Sequence, residues 1–326
     1  QPKQFLNIHG EKSLFQQTLL RLRPKIDGTN IIIVTNKAYT DKIRQQIKGF
    51  KIPPGNILPE PEGKNTAPAV CWAASVIHQR NPKAVMAVLP SDHLITQPRE
   101  YLSTLQKAVD LAQTQHLVVF GITPSRPETG YGYFKTHSIL EGKRSVLKVI
   151  KFIEKPSFDR AMKFLQEGNY YWNSGMFVWK TEVILSELKR YQPAIYELLS
   201  VKNLAKIKNV WKKLPSISID CAILEKSHRV AAVAAKNIGW SDVGSWQSLA
   251  EVSERDERKN IFKGDVLDIG SQNTFVWSSA RLVATVGLQD MVIVDTPDAL
   301  LVCRMDQCQK VKEIVGLLNK GKRKEV

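Results

Sequence analysis

The amino-acid sequence predicts an α/β fold: a doubly wound, Rossmann-like sheet, mixed but mainly parallel, with a small β-rich segment at the C-terminal end. Two observations carry this. Short runs rich in Val and Ile alternate with helical patterns through the first half of the chain, and apolar runs without polar alternation read as parallel strands buried on both faces. After a charged stretch at Glu254–Lys259, the pattern changes to short strands separated by turns.

Taken in order, IIIVTN (31–36) is a strand, followed by a polar helix from Lys37 and a turn region rich in Pro and Gly. A helix begins near Thr66, VMAVLP (85–90) is the next strand, a helix runs from Pro98 to about Gln113, and LVVFGI (117–122) is again a strand. KVIKFIEKP (148–156) and GMFVWK (175–180) read as strands, each followed by a helical pattern, Phe158–Glu167 and Glu182–Tyr191. Then come GDVLDIGS, NTFVWSS, RLVATVGL, DMVIVDT and DALLVCR, closed by a helix from about Gln307 to Asn319. The expected division is residues 1–259 as one domain and 260–326 as the β-rich segment.

Composition narrows the function classes. With 326 residues and 43% apolar content, the chain has material for a large core. Its longest nearly apolar stretch, around Pro68–Ile77, falls short of the roughly 18 residues that span a bilayer, and no secretory leader pattern opens the sequence. Cys71, Cys221, Cys303 and Cys308 are too few and scattered for a disulfide framework, and no CxxC pair suggests zinc. Reduced thiols and a cytoplasmic location, away from membranes, are expected. The net charge is +16, from 47 Lys and Arg against 31 Asp and Glu. Only Lys320, Lys322, Arg323 and Lys324 form a run, and the groups Arg21, Arg23, Lys25 and Lys143, Arg144, Lys148, Lys151 lack the interleaved aromatics of single-strand binders. Small polyanions, rather than nucleic acid, are the expected partners.

Two aspartates carry the chemistry. Asp242, in GWSDVGSWQSL (239–249), stands in a tight turn before a helical pattern, and Asp92, in VMAVLPSDHLI (85–95), follows a strand broken by Pro90. Ligands of open α/β sheets bind at loops on the carboxyl ends of strands, so two such carboxylates can share a divalent cation, an arrangement suited to phosphate chemistry. Each can equally cap a helix, as can Asn65 before Thr66. The glycines of ETGYGY read as a turn, and no GxGxxG follows a strand, which excludes the dinucleotide-binding dehydrogenases. His93 orders its loop; Trp172, Trp179, Trp240 and Trp246 are packing residues; Cys221 is a small core hydrophobe; Arg126 either meets a phosphate or lies exposed.

Eight fragments then combine: PKQFL (2–6), NTAPAV (65–70), LPSDHLI (89–95), ETGYGY (128–133), FIEKP (152–156), WNSGMFVW (172–179), SIDCAILEK (218–226) and WSDVGSW (240–246). In this order and spacing the chain resembles the bacterial mannose-1-phosphate guanylyltransferases. The resemblance implies a nucleotide-diphospho-sugar transferase type of sheet, a left-handed β-helix-like tail, and no cupin isomerase domain. It implies that mannose 1-phosphate and GTP give GDP-mannose and pyrophosphate with Mg²⁺, in a homodimer. By residue, it implies Asp92 and Asp242 as metal carboxylates, and Lys3 and Lys155 as phosphate-binding lysines, Lys155 toward the sugar phosphate. Glu154, Asn173 and the backbone at Gly130 and Gly132 are implied as sugar contacts, and Asn65, Thr66 and Pro68 as lying near the base and ribose.

One departure stands at the start. The family opens with a strand and a GxGTR-type loop that cradles the triphosphate, whereas this sequence opens at Gln1, one residue before PKQFL. Without that strand, two neighbours in the sheet are expected to keep unpaired backbone groups, each costing about 1 to 3 kcal/mol when buried, and the chain is expected to fold poorly. Three readings stay open: an active guanylyltransferase, a non-catalytic relative that binds sugar phosphate or nucleotide sugar, and a transferase of other specificity, such as dTTP with glucose 1-phosphate.

Overall fold

The structure is a computed structural model describing residues 2–8, 10–141, 144–199, 207–244 and 246–321. Gln1, Lys143, Lys322, Arg323 and Lys324, and Ser245 of WSDVGSW, lie outside the described residues. In chain order the first elements are α1 (Leu14–Leu22), β1 (Ile33–Asn36), α2 (Thr40–Gln46), β2 (Ile57–Glu60), α3 (Thr66–Arg80), β3 (Val85–Val88), β4 (Leu94–Ile95), α4 (Pro98–Ala112) and β5 (Leu117–Ile122). There follow β6 (Tyr133–Glu141), β7 (Arg144–Ile153), α5 (Phe158–Glu167), β8 (Tyr170–Lys180), α6 (Thr181–Tyr191), α7 (Pro193–Leu199), α8 (Ile207–Trp211), β9 (Val230–Ala234), β10 (Trp240–Ser241) and α9 (Trp246–Glu251). The C-terminal elements are β11 (Ile261–Lys263), β12 (Val266–Ile269), β13 (Phe275–Ser278), β14 (Val283–Val286), β15 (Met291–Asp295), β16 (Leu300–Arg304) and α10 (Val311–Lys320). No helix among the described residues is long and apolar enough to cross a membrane.

Two compact units share this chain. The larger holds Phe15–Ser91 and Gln97–Ile238, the smaller Gln1–Leu14, Asp92–Thr96 and Gly239–Val326. The short excursion Asp92–Thr96 therefore belongs with the C-terminal part of the sequence, a grouping that linear reading does not suggest.

In the larger unit a sheet runs in the order β3–β8–β5–β9–β7–β6, with β6 also pairing β8. Its centre is β5, buried at every position, because LVVFGI has no polar face to turn to water. α3 is buried nearly all round through Ala67, Val70, Cys71, Trp72 and Ala74, while α4 is amphipathic, starting at Pro98 and burying Tyr101, Leu105, Ala108 and Ala112 at helical spacing. α5 stops where Gly168 takes φ of 71°, a left-handed cap.

The mixed α/β class holds, but the balance of strand directions differs from the expectation of a mainly parallel sheet. Among the described residues of this unit only β1–β2 and β5–β9 are parallel; β3–β8, β5–β8, β6–β7, β6–β8 and β7–β9 are antiparallel. Apolar runs report burial on both faces and carry no information on direction. Direction follows from connection, and β6 and β7, joined by a short link, must run antiparallel. β1 pairs only with β2, and β3 only with β8, among the described residues.

The smaller unit winds as a parallel coil. β11, β13 and β15 stack in register, with Ile261 opposite Phe275 and Phe275 opposite Val292, while β12 and β14 form a second parallel face. β16 closes the first face antiparallel to β15. Ile261, Phe275, Val292, Val294 and Cys308 make its core together with Ile8, Leu94, Val243 and Leu249. The rungs are tied by Asn260, which donates to the Ser271 carbonyl at 2.9 Å and accepts from the Thr274 amide at 3.0 Å. At the first corner Gly264 has φ of 91°, and a Cβ there would overlap the Ser278 carbonyl, so only glycine fits. The helix expected to close the chain begins instead as a 3₁₀ turn, Met305–Lys310, before α10.

Candidate active site

The smaller unit brings Lys3, Asp92 and Asp242 together. β4 and β10 pair antiparallel, Ile95 opposite Trp240 and Leu94 opposite Ser241, so the same register carries Asp242 alongside His93 and next to Asp92. The Lys3 ammonium lies 2.9 Å from Asp92 Oδ2 and donates to the Asp242 backbone carbonyl at 2.5 Å. One cation thus bridges both aspartate-bearing loops. Asp242 Oδ1 accepts from the Gly244 amide at 2.8 Å, which closes the tight turn, and a Cβ on residue 244 would clash with the Asp242 carboxylate.

His93 is held in place. Its Nδ1 accepts from Trp240 Nε1 at 3.1 Å, and the two rings meet edge to face at 5.5 Å, which assigns the proton of the neutral ring to Nε2. That Nε2 lies 3.9 Å from Asp92 Oδ1, beyond hydrogen-bond reach. His93 thus orders this loop together with Trp240, which does more than the packing its residue type suggested.

The larger unit assembles a second group by strand register alone. Tyr133 of β6 lies opposite Ile153 of β7 and opposite Trp172 of β8, so the next residues, Gly132, Glu154 and Asn173, fall side by side. The Asn173 amide donates to the Gly132 carbonyl at 2.8 Å, and a Cβ on Gly132 would come within 2.8 Å of Glu154 Oε2. Glycine at 132 keeps the floor of this group open. Lys155 follows with φ of 41°, and its ammonium lies 3.3 Å from Glu154 Oε1, both side chains being well exposed.

Two carboxylates here escaped the sequence reading. Asp220, in a π-helical turn within SIDCAILEK, accepts from Asn173 Nδ2 at 2.7 Å, and Asn173 Oδ1 accepts from the Gly175 amide at 3.1 Å. These bonds fix the orientation of the Asn173 amide and leave it one N–H and one lone pair. Burial first, then the neighbouring Glu154 and Glu225 charges, raises the Asp220 pKa. The preceding residue, Ile219, donates its amide to Thr66 Oγ1 at 2.8 Å, so one turn supports both Asn173 of β8 and the start of α3. The second missed carboxylate, Glu60, ends β2. Its Oε1 is buried with no hydrogen-bond partner among the described residues, and burial pushes its pKa up to about 7. A buried orphan acceptor was visible in advance only as a charged residue closing an apolar strand.

Asn65 caps α3, its Oδ1 accepting from the Thr66 amide at 2.9 Å, with φ of 64° and ψ of −167°. Both residues are exposed. Arg126 does not lie exposed: it grips Glu128 Oε2 through Nε and Nη2 at 3.2 and 3.0 Å and covers the Trp172 ring. Trp172 and Trp179 are packing residues. Cys221 is exposed, 3.5 Å from Glu225 Oε1, and not the core hydrophobe its motif suggested. No group of three or more His, Cys, Asp or Glu side chains placed to hold a metal occurs among the described residues.

The sequence matches the nucleotidyl transferase family over residues 1–259 and the mannose-phosphate isomerase/GMP-like β-helix domain over 264–318. It is 37% identical over 337 residues to the mannose-1-phosphate guanylyltransferase of Escherichia coli, spanning 99% of this chain and 72% of that protein. The chain belongs to the mannose-1-phosphate guanylyltransferase family. The alginate biosynthesis protein AlgA of Pseudomonas aeruginosa is 39% identical, over 99% of this chain and 69% of that one. Among solved structures, a mannose-1-phosphate geranyltransferase from Thermus thermophilus superimposes with a TM-score of 0.86 at 29% identity, covering 98% of this chain and 92% of that one. A mannose-6-phosphate isomerase from Helicobacter pylori follows at a TM-score of 0.62 and 32% identity, over 74% and 94%. Guanylyltransferases of this family generally use a divalent metal ion.

The state of Glu60 gives a pH test. Its folded pKa of about 7 lies above the ordinary 4.5, so the protonated form is preferred in the fold. The resulting destabilisation is absent below pH 4.5, grows between 4.5 and 7, and is complete above 7. Glu60→Gln should therefore melt like wild type at pH 4.5 and be more stable at pH 8, by on the order of 1 kcal/mol once its partial exposure is discounted. Equal melting differences at both pH values would show that the carboxyl is not held in a desolvated place.

Proposed function

We propose that the chain transfers the guanylyl group of GTP to mannose 1-phosphate, releasing pyrophosphate and forming GDP-mannose, with residues 1–259 as its catalytic part and 260–326 as an accessory coil. The supporting observation is the meeting of Lys3, Asp92 and Asp242 across the β4–β10 pair. Physically the reaction is an in-line displacement in which a phosphate oxygen of the sugar phosphate attacks the α-phosphorus. A phosphate monoester with a second pKa near 6 is mostly dianionic at neutral pH, so no general base is required, in keeping with a His93 already tied to Trp240. Positioning and charge neutralisation then supply the rate.

The donor set fits Mg²⁺, a hard cation that takes one or two carboxylates from protein and completes its shell with phosphates and water. Asp92 and Asp242 would hold it, and when bound it neutralises charge on the phosphate oxygens. Lys3 neutralises the two aspartate loops and can pass a hydrogen bond to a nucleotide phosphate. Lys155 pairs with the sugar phosphate. Glu154 accepts from adjacent sugar hydroxyls, Asn173 offers its remaining N–H and lone pair, and Gly132 keeps space for the ring. Asn65 and Thr66 shape the loop near base and ribose.

The direct test is pyrophosphate release with mannose 1-phosphate, Mg²⁺ and each of GTP, ATP, dTTP and UTP. GTP should lead; release with another nucleotide instead would overturn the assignment of the base. Asp242→Asn should lower kcat by at least about 100-fold with little change in melting, since it removes a charge that acts on the transition state. Near-normal turnover in that variant would remove Asp242 from the metal site. Lys155→Ala should raise the KM for mannose 1-phosphate by about 10- to 100-fold, the loss of one charge-assisted hydrogen bond, and leave the KM for GTP nearly unchanged. Equal effects on both substrates would undo that assignment.

A homodimer is part of the proposal. The β12–β14 face turns Leu267, Ile269, Leu282 and Val286 outward, all more than half exposed. In a chain of net charge +16, this cluster of exposed apolar side chains is the surface on which a second copy can bury apolar area. Sedimentation should give twice the chain mass, and Ile269→Glu should return it to one; a monomeric wild type would refute this.

A further inference from the structure

We propose that Cys303 and Cys308 form an oxidisable dithiol, which a low-molecular-weight disulfide such as glutathione disulfide closes to an intramolecular disulfide. Their sulfurs lie 3.9 Å apart. Cys303 sits on β16 opposite Val292, at a half-buried position that solvent reaches, whereas Cys308 is 4% exposed, inside the coil core. The strand ends at Arg304, and the 3₁₀ turn Met305–Lys310 folds back so that the second thiol meets the first.

The other two cysteines differ. Cys71 is buried in α3, where burial pushes its thiol up to about 12, which suppresses the reactive thiolate. Cys221 is exposed, but its neighbour is the Glu225 carboxylate. Only the pair in the coil has one thiol accessible for attack and a second already in contact with it.

A disulfide requires an S–S distance of about 2.05 Å, so the sulfurs must approach by roughly 2 Å from their present contact. The Cys303 thiolate attacks one sulfur of glutathione disulfide, forming a mixed disulfide and expelling one glutathione thiolate. Cys308 then loses its proton to solvent and attacks the Cys303 sulfur, forming the intramolecular bond and expelling the second glutathione. Two electrons pass from the two cysteines to the reagent, which leaves as two thiols. The ring closed is short, so it removes little chain entropy from the unfolded state, and the bond should open again under a dithiol reductant.

Trypsin makes this testable on the full chain, because Arg304 separates the two cysteines. The folded protein is treated with glutathione disulfide, free thiols are blocked with N-ethylmaleimide, and the digest is weighed. Expected is one species joining peptides 282–304 and 305–310, two hydrogens lighter than their sum and split by dithiothreitol. Cys303→Ser should abolish it, while Cys221→Ser should leave it intact. Recovery of the two peptides separately at saturating reagent, carrying N-ethylmaleimide or glutathione, overturns the proposal, as does linkage of either cysteine to Cys221.

Discussion

The Lys3 ammonium is the interaction on which the candidate site of the smaller unit depends. It joins three stretches of sequence, one near the start, one near residue 92 and one near 242, by touching a carboxylate on one and a carbonyl on another. The β4–β10 ladder that places these loops has only two residue pairs, and so short a ribbon is marginal by itself. Two further supports make it hold. Leu94 and Val243, each next to a candidate aspartate loop, are buried in the coil core with Ile8 from the Lys3 segment. Lys263 of the coil donates to the Ile8 carbonyl at 2.6 Å and so anchors the same segment again. Apolar burial fixes where the loops lie, and the ammonium then sets the charge between them.

The group of Gly132, Glu154 and Asn173 in the larger unit rests on another kind of constraint. Gly132, Glu154 and Asn173 meet because β6 is flanked by β7 and β8 in a fixed register, with the pairs Tyr133–Ile153 and Tyr133–Trp172 as its last rungs. A shift of one residue on either side would turn Glu154 or Asn173 to the opposite face. Register is guarded by packing just inside these ends: Tyr133 and Trp172 are buried, and Tyr133 donates its hydroxyl to the Glu128 carbonyl at 2.8 Å. Asp220 then fixes the Asn173 amide. The carboxylate that does so is raised by burial and by its acidic neighbours, so it acts on Asn173 from a place where water competes weakly.

Much of this was legible in sequence. The strand LVVFGI and the helices from Thr66, Pro98 and Phe158 were plain from apolar period and caps, because burial and capping write themselves locally. Strand direction was not legible, since an apolar run looks the same whichever way its neighbour points; hence the excess of antiparallel pairs. β6, which begins just past the glycines of ETGYGY, was hidden because YFKTHSILE has Lys and His in its course. The aspartates were recognisable from turn chemistry, yet that Asp92 belongs with the C-terminal part of the chain follows only from tertiary contact. Asp220 and Glu60 were missed because a carboxylate in a helical turn, or at a strand end, is ordinary on the surface. What makes them notable is the lack of water, which no local pattern reports.

Backbone strain ties these observations together. Lys155 has φ of 41° and Val243 φ of 47°, conformations that side chains other than glycine rarely adopt, and a β-branched valine is among the least suited to them. Each adjoins a candidate site carboxylate, Glu154 and Asp242. For Val243 the compensation is visible: strain of about 1 to 3 kcal/mol is matched by burying the side chain in the coil core, worth about 1.5 to 3 kcal/mol. The Ser241 hydroxyl adds a hydrogen bond to the Val243 amide at 3.1 Å. A glycine at 243 would relieve the strain and forfeit the anchor, leaving the Asp242 turn free to move; valine accepts the strain and holds it. For Lys155, whose side chain is well exposed, no such packing offsets the strain, so its conformation is held by the backbone on either side, from the last rung of β7 to Pro156.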